Sequence, residues 1–147
     1  LCLDFDGVIH AYTSGWQGAA VIPDPPVPGA LEFIERAAQV FTVAIYSTRS
    51  HQPGGREAMA AWLKMHYAAA LDGGWKEADR LLKMIEFPES KPPALVGIDD
   101  RQITFTGEWP ALDALLNFRP WNKPAPKPET VADGTGFPAC LQKAPSE

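Results

Sequence analysis

The chain reads as an α/β domain built on a mostly parallel sheet, on three observations. Short apolar runs with strand character stand at 1–5, 40–46 and 94–98. Amphipathic segments of helical spacing lie between them. Polar residues, aspartates above all, gather where the runs end. Alternating strands and helices favour parallel strands joined by right-handed crossovers. In such sheets ligands bind beyond the carboxyl ends of the strands.

Leu1-Cys2-Leu3-Asp4-Phe5 is a buried strand that runs into Asp6-Gly7, a loop signal. Residues 8–29 carry Gly15, Gly18, Pro23, Pro25, Pro26, Pro28 and Gly29, which predicts a loop or small hairpin. Leu31, Phe33, Ile34, Ala37 and Ala38 recur at helical spacing, so 30–39 is a helix opened by Pro28-Gly29. Val40 to Tyr46 is β-branched and aromatic and makes the second strand. A helix over 56–69 follows Gly54-Gly55, and 75–85 is helical with 84–87 able to form a short strand. A third strand spans 94–98, a brief one 103–105, and a last helix 110–118. From Arg119 the chain has six prolines and no core pattern, so 119–147 is expected to be a proline-rich extended or disordered tail.

A chain of 147 residues with 46% apolar content can bury one sizeable core, here expected over 1–118. The formal charge of -5 gives no global basic field for nucleic acid or anionic membrane. Two cysteines, Cys2 and Cys140, are too few for a disulfide scaffold and fit no metal knuckle. A reducing, cytoplasmic location is expected. No apolar stretch approaches the roughly 20 residues that span a bilayer, and no signal peptide is visible.

Asp4 and Asp6 leave the backbone on the same side of the strand end, with Phe5 turned the other way. Two carboxylates so close repel unless a cation lies between them or one is protonated. Asp99 and Asp100 add further carboxylates at the same sheet edge. A cluster rich in oxygen, free of sulfur and poor in histidine suits Mg²⁺ rather than zinc. Gly7 leaves room for backbone N–H groups to approach an anion. The Ser47 hydroxyl ends the second strand and can bind phosphate oxygens, a role open to Thr48 as well. Lys91 can reach the edge if its segment folds back along the sheet, with Lys83 as the fallback. Nucleophile, acid, metal and phosphate donors are the parts that phosphoryl transfer needs.

With these residues in order, the chain resembles the haloacid dehalogenase-like (HAD) superfamily. Asp4-Phe5-Asp6-Gly7-Val8 is similar to its first motif, Ser47 to its second, Lys91 to its third and Asp99-Asp100 to its acidic fourth. The resemblance covers residues 1 to about 118 and implies a three-layer Rossmann-like fold. It implies that Asp4 forms an aspartyl-phosphate while Asp6 acts as general acid and then base. It also implies a Mg²⁺ ion on Asp4, the Asp6 backbone carbonyl and Asp99 or Asp100. Ser47 and Lys91 would hold the phosphoryl group. Residues 8–29 suffice only for a short flap and 50–90 are needed for crossovers, so no cap domain is expected. Capless relatives tend to act on large substrates or to borrow a neighbouring subunit as a lid. The expected partner is therefore a phosphorylated substrate, such as a nucleotide, a nucleic-acid end or a phosphoprotein, with a homo-oligomer compatible.

Gly7, Thr48, Arg49 and His10 are the further candidates for the substrate, although Arg49 and Arg101 are expected to pair with the aspartates rather than touch it. Tyr12 and Trp16 can stack on a base or sugar, or simply anchor the hairpin. Three other functions compete. A receiver domain has its acidic pair first, whereas Asp99-Asp100 comes last here. A catalytically idle binding module would retain the fold alone, and a phosphotransferase would differ only in its acceptor.

Overall fold

A computed structural model describes residues 1–70 and 74–123. It is an α/β structure with the elements β1 (Cys2–Leu3), α1 (Ala30–Ala37), β2 (Val43–Ile45), α2 (Gly55–Ala70), α3 (Gly74–Leu82), β3 (Ile85–Glu86), β4 (Gly97–Ile98) and α4 (Leu112–Leu116). The four strands form one all-parallel sheet in the order β3-β2-β1-β4. The chain therefore builds outward from β1 to β3, then returns to add β4 on the other side of β1. The switch in direction falls between β1 and β4, the place where an open parallel sheet offers a crevice.

The strands are short, but backbone bonds carry the pairing past their ends. Asp4 N–H donates to the Ile98 carbonyl at 2.9 Å, and Tyr46 N–H donates to the Leu3 carbonyl at 3.0 Å. The carboxyl ends of β1, β2 and β4 are thereby aligned. Leu3, Phe5, Val43, Ile45 and Ile85 from the sheet side pack with Ile34 and Ala37 of α1. Met59, Trp62, Leu63 and Tyr67 of α2 and Ala78 and Leu81 of α3 complete this core. Burial of side chains of this kind contributes roughly 1.5–3 kcal/mol each and is the main drive for the helices to dock. The Tyr67 hydroxyl donates to the Leu31 carbonyl and ties α2 to α1.

The β4 side differs from expectation. Residues 103–105 form no strand, and Ile103 and Phe105 are exposed. A helix over 110–118 shrinks to Leu112–Leu116, with none of its residues buried. Leu95, Val96, Ile98, Trp109, Leu112 and Leu116 are exposed as well. Among the described residues no layer covers this side, so its apolar side chains stay exposed and 103–105 have no strand to pair with. At the other end of the sheet, both sequence options over 75–87 are realised, α3 followed by β3. Among the described residues no helix is long and apolar enough to cross a membrane.

The turn from β2 into α2 is sterically closed. A Cβ added at Gly55 would lie 2.1 Å from the Arg49 carbonyl oxygen, and that carbonyl already accepts the Gln52 N–H at 3.0 Å. Backbone cannot yield as a flexible side chain would. Gly55→Ala should cost about 1–3 kcal/mol of stability, measured as a lowered midpoint in urea unfolding; an unchanged midpoint would show that the turn can open freely.

Candidate functional site

The site begins with the strand ends. Asp4 follows β1, Ser47 follows β2 and Asp99-Asp100 follow β4, so the parallel register delivers all of them to one edge. Asp4, Asp99 and Asp100 each bring a carboxylate oxygen within 4.8 Å of the others, across the β1–β4 switch point. A cavity of about 690 Å³ opens above them, with Asp6, Ser47, Thr48, Lys91 and Arg101 in its walls.

The Asp100 side chain is only 1% exposed, and among the described residues neither of its oxygens has a hydrogen-bond partner. Its nearest cation is Arg101, whose Nε lies 3.9 Å from Oδ1, beyond hydrogen-bond range. A buried carboxylate without a donor is costly. A hard divalent cation bound between the three aspartates would remove that cost, and an all-oxygen set suits Mg²⁺. Asp99 differs, because its Oδ1 accepts the Arg101 backbone N–H at 2.8 Å. Gly7 is what lets Asp100 in: a Cβ there would stand 2.4 Å from Asp100 Oδ2, and the Gly7 φ is +91°.

Asp6 is held quite differently. Arg49 donates from Nε to its Oδ2 at 2.8 Å and from Nη2 to its Oδ1 at 3.1 Å. His10 Nδ1 lies 2.9 Å from Asp6 Oδ1, while His10 Nε2 accepts the Asp24 backbone N–H at 3.1 Å. That second bond requires a lone pair on Nε2, so the proton of the neutral ring sits on Nδ1 and is donated to Asp6. The third arm of Arg49 reaches into the 8–29 loop, where Nη1 donates to the carbonyls of Gly18, Ala19 and Val21 at 2.8, 2.9 and 3.0 Å. Asp24 then locks the same loop, accepting from the Ser14 hydroxyl at 2.6 Å and the Ser14 N–H at 2.8 Å.

The two aspartates titrate in opposite directions. Burial pushes Asp4 up to about 7, with the charges of Asp99, Asp6 and Asp100 acting the same way against the Phe5 amide. Burial also works to raise Asp6, but the His10 and Arg49 hydrogen bonds and the Arg49 charge outweigh it and hold Asp6 low. Burial raises Asp100, with Arg101 opposing and Asp99 adding to the shift.

Several expected site residues stand elsewhere than the substrate. Arg49 and His10 are 0% exposed, and their polar atoms are engaged by Asp6 and the loop rather than turned to the cavity. The Gly7 N–H is not available to an anion, because it donates to the His10 carbonyl at 2.8 Å. The Asp6 carboxylate stands outside the three-aspartate cluster for the same reason that Arg49 holds it. Ser47, Thr48 and Lys91 do line the cavity, whereas Lys83 does not. Ser47 Oγ accepts the Arg49 N–H at 3.3 Å and lies 3.5 Å from Asp6 Oδ2.

Residues assigned to the tail also reach this edge. Trp121 Nε1 donates to the Gly7 carbonyl at 2.8 Å, Asn122 Nδ2 to the Ala11 carbonyl at 3.2 Å, and Lys123 Nζ to the Tyr12 carbonyl at 3.2 Å. Their cue in the sequence is a lone indole amid prolines, with no periodicity to place it. The rest of the expected tail, 124–147, lies outside the described residues. Comparison with models of protein families, with curated proteins and with solved structures finds no match for the chain.

Arg49→Met should destabilise the protein by about 3–5 kcal/mol, because it leaves the buried Asp6 carboxylate without its cation. The folded Asp6 pKa lies below its unfolded value, so its stabilisation is complete above about pH 4 and is lost as pH falls through the folded value. Urea unfolding across pH should show that acid limb flattened in Arg49→Met; a limb as steep as before would mean that another carboxylate causes it.

Asp4 works with the opposite sign. Its folded pKa is raised to about 7, so the folded state holds the extra proton and stability declines as pH rises from about 4 through 7. In EDTA, Asp4→Asn should therefore gain on the order of 2 kcal/mol over the parent at pH 8 and little at pH 4. An equal difference at both values would place the Asp4 proton elsewhere.

Proposed function

We propose that the chain is a Mg²⁺-dependent phosphomonoester hydrolase of the haloacid dehalogenase-like kind, acting through an aspartyl-phosphate on Asp4. The observation that carries this is the convergence of Asp4, Asp99 and the unpartnered, buried Asp100 at the sheet's switch point, under a cavity walled by Ser47, Thr48 and Lys91. Carboxylates that no cation hydrogen-bonds among the described residues, beside a hydroxyl and an ammonium, suit a metal and a phosphoryl group together. In the same proposal the sheet and helices are a three-layer Rossmann-like fold, with 8–29 as a short flap and no cap domain.

In this mechanism an Asp4 oxygen attacks phosphorus, the phosphorus–oxygen ester bond breaks, and the leaving oxygen takes a proton from solvent water, because Asp6, expected as the acid, is held as a carboxylate by Arg49 and His10. Ser47, Thr48 and Lys91 hold the non-bridging oxygens and keep the phosphoryl group in line with Asp4. Water then attacks the phosphorus of the aspartyl-phosphate while Asp6 accepts its proton, and inorganic phosphate leaves with Asp4 regenerated. Asp6 starts as a carboxylate, held by Arg49 and His10, and so meets the water step ready as a base. Mg²⁺ bound by Asp4, Asp99 and Asp100, with the Asp6 backbone carbonyl, would supply neutralisation of phosphoryl charge. Asp100 is the better-supported of the adjacent pair as a direct ligand, since Asp99 already has a donor.

Release of inorganic phosphate from a panel of phosphomonoesters should require Mg²⁺, and Asp4→Asn should lower it by a factor on the order of 10³ or more. Phosphate appearing on an acceptor other than water would instead identify a phosphotransferase. Mg²⁺ binding with no turnover on any substrate would leave an idle binding module.

A further inference from the structure

Beyond the groups that one phosphoryl group needs, two further cations stand at the Tyr12 ring, Arg101 in the cavity wall and Lys123 beside it. Arg101 lines it with a side chain 54% exposed, and its guanidinium carbon stands 5.8 Å from the centre of the Tyr12 ring. Lys123 Nζ lies over the same ring at 4.8 Å. Tyr12 itself lines the cavity with Asp4 and Ser47. An aromatic face holds cations in place without neutralising them, so their N–H groups stay available to an anion. Among the described residues Lys123 has no carboxylate within ion-pair range, and Arg101 has Asp100 alone, too far for a hydrogen bond. In a chain of net charge -5, two cations at one aromatic ring are a local feature against the overall balance.

The backbone supports this arrangement at a cost. Tyr12 has φ +55°, a conformation that non-glycine residues hold at a cost of about 1–3 kcal/mol and that tends to mark functional sites. Its carbonyl accepts from Gly15 N–H and from Lys123 Nζ, and its ring meets His10 edge-on at 5.9 Å. Trp121 and Asn122 dock the chain onto the loop after β1 and so bring Lys123, 111 residues away in sequence, to Tyr12.

We propose that the substrate is a phosphomonoester carrying a second phosphate, which Arg101 and Lys123 receive at the Tyr12 ring while the first meets Asp4. This rests on the hydrolase proposed above and names its substrate class. A guanidinium presents paired donors that match phosphate oxygens, and lysine adds a point charge. The bland alternative is that these cations only offset the aspartates. In that case their loss would affect substrates with one phosphate and with two alike.

The test compares thymidine 3′,5′-bisphosphate with thymidine 3′- and 5′-monophosphate, using the intact chain with Mg²⁺. The bisphosphate should exceed the better monophosphate in kcat/KM by about tenfold or more, chiefly through KM, and added salt should shrink the ratio. Arg101→Ala and Lys123→Ala should each bring the ratio toward one, while Lys76→Ala on α3, an equal loss of charge, should leave it in place. Equal efficiency on all three compounds, or a preference that survives both substitutions, overturns the proposal. If none is hydrolysed the hydrolase itself fails, and calorimetry with the same compounds still decides the subsite. Binding about tenfold tighter for the bisphosphate, and lost in both variants, would uphold it; equal binding would end it.

Discussion

The ion pair between Arg49 and Asp6 organises most of what surrounds the sheet edge. A guanidinium cannot shed its proton to escape burial, so Arg49 at 0% exposure has to find acceptors for all its donors. It finds them in one carboxylate and three loop carbonyls. The Asp6 side chain is thereby oriented from the β2 side, while the 8–29 segment is pinned from beneath. His10 closes the arrangement, since its ring has one nitrogen on Asp6 and the other on the Asp24 amide. Loop shape, histidine tautomer and carboxylate charge state follow from burying a single cation.

With Asp6 satisfied, the charge problem moves to its neighbours. Asp4, Asp99 and Asp100 are drawn together because the backbone bond from Asp4 to Ile98 aligns the ends of β1 and β4. No protein cation bonds the Asp100 carboxylate among the described residues. Two aspartates in one short motif thus have unlike surroundings. One is neutralised from within the protein, and the other shares a cluster of three carboxylates.

The docked segment 121–123 adds a second hold on the loop after β1, beside the same crevice. It places an indole and an amide on the carbonyls of Gly7 and Ala11, and a lysine beside Tyr12. The loop after β1 is therefore held from two directions, by Arg49 in the interior and by this segment outside. The exposed apolar side chains between Ile103 and Leu116 take no part in that arrangement, and among the described residues no strand pairs with the outer side of β4.

The sequence by itself determined the α/β class, the helices and the strand ends where Asp4, Ser47 and Asp99-Asp100 gather. Those features depend on local periodicity and on turn residues, which each segment carries with it. It also indicated that Ser47 and Thr48 would stand at that edge, because parallel strands bring their carboxyl ends together, whereas Lys91 precedes its strand and reaches the cavity only through the folding back of its segment. Tertiary structure alone decided how each polar side chain is spent. The sequence suggests an aspartate partner for Arg49, but nothing near Arg49 singles out Asp6 or the carbonyls of Gly18, Ala19 and Val21. A lone histidine does not disclose that both ring nitrogens are bonded, and Trp121 to Lys123 have no pattern that points back to the first loop. Burial and hydrogen-bond partnership are properties of residues distant in sequence and adjacent in space. The packed fold settles them by the cost of leaving a buried donor or charge unmatched.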